Sequence, residues 1–94
     1  MSCCYLELKI DLPLATNLKE KRAVLKSLIT RISKNFNVSI SEIDFNDVWK
    51  RAKVGIAIVS NSGKIFDSTI SNILEFIEIN YPEIQTTIIY RENF

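Results

Sequence analysis

Tyr5-Leu6-Glu7-Leu8-Lys9-Ile10-Asp11-Leu12-Pro13, followed shortly by Asn17-Leu18-Lys19-Glu20-Lys21-Arg22, contains a change of period. Leu6, Leu8, Ile10 and Leu12 alternate with Tyr5, Glu7, Lys9 and Asp11, as a strand with one buried and one open face requires. Pro13 ends that strand by removing a ladder donor. Asn17 is a good N-cap, and Glu20 stands three residues on, as in a capping box. From there apolar residues recur at helical spacing. Leu18, Val24, Leu25, Leu28, Ile29 and Ile32 share one arc of a helix expected to run to about Lys34.

The rest of the chain repeats these patterns. Val38 to Phe45 reads as a second strand, with a phase change near Ser41 and Glu42 that predicts a bulge. Asn46 and Asp47 predict a turn, and Val48 to Ser60 a long third strand completing a hairpin. On that strand Ala52, Val54, Ile56 and Ile58 face the core, opposite Lys53, Gly55, Ala57 and Val59. Asn61-Ser62-Gly63 is a second turn. Lys64 to Asn80 forms a second helix with Phe66, Ile70, Ile73, Leu74, Ile77 and Tyr81 inward, and Ile84 to Arg91 a fourth strand.

The order β-α-β-β-α-β predicts an α+β, ferredoxin-like fold: a four-stranded antiparallel sheet with two helices on one face. The expected spatial order of the strands is 4-1-3-2. Glu42 and Asp44 are expected to discourage pairing along one edge, and the Thr86 to Ile89 edge to favour self-association.

Ninety-four residues with 47% apolar and 24% charged content imply a single folded domain over residues 1–94. Twelve basic against eleven acidic residues give a net charge of +1, so any attraction for nucleic acid must come from a local patch. No apolar run is long enough to span a bilayer and no signal-peptide pattern is present, which predicts a cytoplasmic protein without membrane association. Cys3 and Cys4 are adjacent, a spacing that suits neither a redox CxxC pair nor zinc.

No catalytic constellation emerges. The chain has no histidine, the usual acid–base group near neutral pH. It carries no GxSxG, P-loop, GxGxxG or HExxH motif. Glu42, Asp44 and Asp47 lack the ligand pattern of a hard-cation site and read as solvated edge and turn residues. The loop Pro13-Leu14-Ala15-Thr16-Asn17 has no glycine to let backbone amides converge on a phosphate, as small acylphosphatases of this fold require. The glycine-bearing loop of an ACT-type regulatory domain is also missing. A non-enzymatic protein without cofactor or metal is therefore expected.

RNA-recognition motifs of similar topology stack bases on aromatics of the open sheet face. Here Tyr5 is joined by Gly55, Ala57 and Val59, which cannot stack successive bases. That strip instead suits protein contact or a homodimer, with Ile88 and Ile89 on the neighbouring edge as further self-association candidates.

Two basic features remain. Lys19, Arg22 and Lys26 fall within roughly 60° on the first helix at about 100° per residue. Lys21 lies near the apolar arc and is expected to snorkel to water at the helix start. The second feature is Trp49, Lys50, Arg51 and Lys53 at the hairpin, which strand alternation spreads over both faces. Each could be a solvated surface, with Trp49 anchoring the hairpin, or a patch that contacts phosphates without reading sequence.

N-L-K-E-K-R at 17–22, F-N-V-S-I-S-E at 36–42 and D-V-W-K-R-A at 47–52, together with the Leu12-Pro13 step, resemble the bacterial YlxP-like family of unknown function. The resemblance covers essentially the whole chain and implies a ferredoxin-like single domain. The family typically places Ser where this chain has Asn17, with the same capping ability. Its acidic positions map to Glu42 and Asp47 and its tryptophan to Trp49. Genes of the family often lie beside those for transcription and translation factors, which implies a role near RNA or the ribosome. The resulting expectation is an RNA- or ribosome-associated accessory factor that binds through Lys19, Arg22 and Lys26, with Trp49 to Lys53 secondary. No recognition of a DNA sequence is expected. The alternative is a homo-oligomeric or regulatory module using the open sheet face.

Overall fold

The computed structural model describes residues 2–94. Strand β1 (Ser2–Asp11) leads to helix α1 (Leu18–Asn35). Strands β2 (Ser39–Asp44) and β3 (Arg51–Ser60) follow. A single 3-10 turn (Gly63–Ile65) then opens helix α2 (Phe66–Asn80), and β4 (Gln85–Asn93) closes the described chain. All pairings are antiparallel, in the spatial order β2-β3-β1-β4. This is the ferredoxin-like arrangement expected from the period changes.

Register follows from alternation. Leu6, Leu8 and Ile10 of β1 lie opposite Ile56, Val54 and Ala52 of β3, and all six are essentially inaccessible to solvent. Residues directly opposite one another share a sheet face. α1 adds Leu25, Leu28 and Ile32 to that core, and α2 adds Phe66, Ile70, Ile73 and Ile77. Cys4 is buried with them, while Cys3 points to the other face and is half-buried. The two helices are also joined by polar contacts. Arg31 donates to Asn80 Oδ1 at 2.8 Å and to the Tyr81 hydroxyl at 3.3 Å, and Ser27 bonds that hydroxyl at 2.6 Å.

The N-terminus of α1 is capped as its sequence requires, with one change of partner. Glu20 N–H donates to Asn17 Oδ1 at 2.8 Å. The Glu20 carboxylate, however, accepts from the Thr16 backbone N–H at 2.7 Å and from the Thr16 hydroxyl, one residue before the cap. These bonds from Thr16 hold the Glu20 carboxyl below its ordinary pKa.

Lys21 overturns the expectation that it snorkels: it is fully buried. Its Nζ lies 3.0 Å from Glu42 Oε2 and donates to the Phe45 backbone carbonyl. The reason lies in the register of β2. Glu42 is opposite Val54, a core-face residue, so its side chain projects toward the helices rather than guarding the sheet edge. The contact is ionic, since no aligned hydrogen bond reaches Glu42 Oε2 among the described residues.

The link to Phe45 reshapes the hairpin. The bulge falls between Glu42 and Asp44, leaving Ile43 as the extra residue. Phe45 then takes a left-handed conformation with φ 62°, uncommon for a residue with a side chain. Its carbonyl accepts from Lys21 and also from Val48 N–H at 3.0 Å. The chain is thereby diverted, and β3 begins at Arg51 rather than Val48. Trp49 and Lys50 consequently belong to the connecting loop and not to a strand.

Removing one partner of a buried ion pair leaves the other charge uncompensated, at a cost of about 3–5 kcal/mol. Because Glu42 retains some exposure, Glu42→Ala is expected to lower unfolding stability by roughly 3 kcal/mol in urea titrations. The double variant Lys21→Met/Glu42→Ala is expected to recover most of that loss. A single variant within about 0.5 kcal/mol of the parent, the range of an ordinary surface change, would contradict the structural role of the pair.

Candidate nucleic-acid interface

Helix α1 carries six basic side chains and one acidic one, and the fold divides them. Lys21 turns inward to Glu42. Arg31 is held by Asn80, Tyr81 and the Phe76 ring, whose centre lies 5.3 Å away. Lys19, Arg22, Lys26 and Lys34 are exposed and have no ion-pair partner among the described residues.

Elsewhere the cations are largely occupied. Lys9 pairs with Asp11 at 3.8 Å, Lys53 with Glu7 at 3.5 Å and Arg91 with Asp67 at 2.8 Å. Lys50 donates to the Pro13 carbonyl at 3.3 Å, and the Arg51 guanidinium stands 5.5 Å from the centre of the Phe45 ring. Lys64, in the 3-10 turn before α2, is exposed, and its side chain has no ion-pair, hydrogen-bond or aromatic partner among the described residues. Unpaired positive charge is therefore concentrated on one side of one helix. α2 has the reverse character: Asp67, Glu75 and Glu78 are its charged residues, with no Lys or Arg.

The second basic cluster does not assemble as one patch. Lys53 is on the open sheet face with Glu7, Arg51 sits against Phe45, and Lys50 is tied to Pro13. Trp49 alone is brought to α1. It borders a shallow, open hollow of about 360 Å³ together with Thr16, Asn17, Leu18 and Asp47. At 42% exposure it is not a core anchor. Lys50 Nζ lies 5.9 Å from the ring centre.

The open sheet face departs from the smooth apolar strip expected there. Gly55 is buried because the Tyr5 side chain lies across it. An added Cβ would stand 2.8 Å from the Tyr5 hydroxyl. Ala57 is half-buried, and of the three positions only Val59 is exposed. Tyr90, whose role sequence reading missed, joins Tyr5 at 6.1 Å between ring centres. The β1–β4 bulge at Glu7/Leu8 sets Tyr90 opposite Glu7, and that irregularity hid its phase. Both tyrosines hydrogen-bond carboxylates: Tyr5 to Glu7 at 2.8 Å, and Tyr90 to Glu92. Those bonds raise both phenol pKa values above normal. Aromatics surrounded by Glu7 and Glu92 are poorly suited to a phosphate backbone. On the β4 edge, Ile88 and Ile89 are 40% and 45% exposed.

Among the described residues, no group of three His, Cys, Asp or Glu is placed to hold a metal ion. No helix of the described residues is long and apolar enough to cross a membrane.

Comparison with solved structures supports the architecture. A de novo designed protein with a ferredoxin fold matches with a TM-score of 0.56 at 18% identity, covering 96% of this chain and 87% of the design. A C-terminal segment of the alpha subunit of aIF2 from Pyrococcus abyssi matches with a TM-score of 0.51 at 16% identity. It covers 97% of this chain and 51% of that one. At such identities the likeness concerns the fold alone. In sequence, the uncharacterized protein YlxP of Bacillus subtilis (strain 168) is 49% identical over 80 residues, covering 85% of this chain and 86% of that protein. The family model described as protein of unknown function (DUF503) matches residues 3–91. With the relative and the family model spanning nearly its whole length, the chain belongs to the DUF503 family, the YlxP-like proteins of unknown function.

Proposed function

We propose that this protein is a non-enzymatic cytoplasmic accessory factor that contacts RNA or a ribosomal particle through Lys19, Arg22 and Lys26. The observation that carries this reading is the concentration of unpaired cations on α1, while most other Lys and Arg side chains are held by partners within the fold. A cation already ion-paired must lose that partner before it gains a phosphate, so unpaired ones bind with the smaller penalty. The stripe is also free of carboxylates. Glu20, the one acid of α1, is engaged by Thr16.

Three contacts to single-stranded phosphates correspond to a slope of roughly −2 in log K against log salt. Affinity should then fall roughly 15- to 20-fold between 50 and 200 mM salt. Co-sedimentation with purified ribosomal subunits across that range is expected to show this dependence. Lys19→Glu/Arg22→Glu/Lys26→Glu is expected to abolish the association. Retention of the triple variant on the particles would refute the assignment of α1 as the contact.

A second reading is a homodimer, favoured by the exposure of Ile88 and Ile89 on the β4 edge. Edge strands offer unpaired backbone groups to a second chain, and a dimer would present two cationic helices and gain avidity. Gly55 drops out of this reading because Tyr5 covers it. Light scattering is expected to give twice the chain mass, reduced to the monomer by Ile88→Lys/Ile89→Lys. A monomer at high micromolar concentration would exclude it.

A further inference from the structure

We infer that the hollow beside Trp49 takes an unstacked nucleobase, so that the ligand of α1 is single-stranded or looped RNA rather than a duplex. This rests on the phosphate-contact reading of Lys19, Arg22 and Lys26 and specifies the nucleic acid they bind.

Three observations lead to it. Trp49 is the only tryptophan of the chain, and 42% of it is exposed. Bases stack on such a ring irrespective of sequence. The hollow of about 360 Å³ bordered by Thr16, Asn17, Leu18, Asp47 and Trp49 is shallow and open to solvent, as a platform for stacking one unpaired base requires. The Asp47 carboxylate repels a phosphate, yet it accepts hydrogen bonds from ring and amino N–H groups of a base. The hollow thus suits the uncharged part of a nucleotide.

The charged part has its own place. Leu18, Arg22 and Lys26 are spaced four residues apart and follow one row of the helix surface, with about 6 Å of rise per step. Leu18 lines the hollow, so the row leads directly from it to two of the unpaired cations. A base seated on Trp49 leaves its phosphates to run along that row. In an A-form duplex the bases are stacked and paired. Extracting one costs a few kcal/mol, so a duplex reaches the cations without filling the hollow.

The single tryptophan makes the test direct, because emission excited at the red edge of the indole band, beyond tyrosine absorption, reports on Trp49 alone. A short unstructured RNA oligonucleotide and the duplex of the same sequence would be titrated separately. Trp49 emission would follow stacking, and the anisotropy of end-labelled RNA would follow binding. The expected result is quenching by the unstructured strand only, with binding roughly 5- to 150-fold tighter than to the duplex. Trp49→Ala should remove that preference while leaving the salt dependence, and Trp49→Phe should restore part of it. Equal binding of both RNAs with unchanged emission would overturn base stacking and leave the phosphate contacts standing. Failure of the intact protein to bind either RNA would overturn both readings.

Discussion

A lysine ammonium with no access to water is the constraint around which this fold is arranged. Removing such a charge from water costs several kcal/mol unless it is met by an opposite charge and hydrogen-bond acceptors. Lys21 finds them in Glu42 and the carbonyl of Phe45. Both lie at the end of β2 and in the loop that follows, so the start of α1 is tied to that edge of the sheet. The same carbonyl closes the turn to Val48, and the chain re-enters the sheet only at Arg51. Trp49, in the diverted segment, is left beside Asn17 and Leu18. A buried ion pair is weak evidence of net stabilisation. Here its consequence is positional: it fixes where the loop leaves β2.

The distribution of charge follows from the same arrangement. Lys19 and Lys21 stand two residues apart on α1, about 200° around the helix, and their environments are opposite. Lys21 is consumed inside the fold, while Lys19, with Arg22 and Lys26, faces solvent without an ion-pair partner. The acids of α2 make the helix layer electrostatically two-sided. A net charge of +1 therefore conceals a separated distribution. Short-range contact with phosphate is favoured on one flank and opposed on the other.

Elements whose period is unbroken were legible from sequence. The alternation from Leu6 to Leu12 gave the core face of β1, and that of Ala52, Val54, Ile56 and Ile58 the core face of β3. Asn17 and Glu20 marked the start of α1, although Glu20 reaches Thr16 as well. What escaped sequence reading depends on pairs distant along the chain or on broken register. Periodicity put Lys21 beside the apolar arc but could not supply Glu42, which β2 turns inward. Val48 and Trp49 read as strand residues because their apolar character continues that of β3, whereas the left-handed Phe45 redirects the chain. Gly55 read as an open position since nothing local announces that Tyr5 will lie over it. Tyr90 was hidden by the bulge in the β1–β4 pairing. Of the candidate site, the helix stripe was therefore visible in advance, and the approach of Trp49 to it was not.

The proposed contact sets RNA on the cationic flank of α1 and the adjoining Trp49 loop, and not on the open sheet face. Amide and indole NMR shifts recorded while unstructured RNA is added would test it residue by residue. The account predicts perturbations at Lys19, Arg22, Lys26 and the Trp49 indole, with Tyr5, Ala57 and Tyr90 unmoved. Shifts centred on Tyr5, Ala57 and Tyr90, with α1 silent, would contradict it.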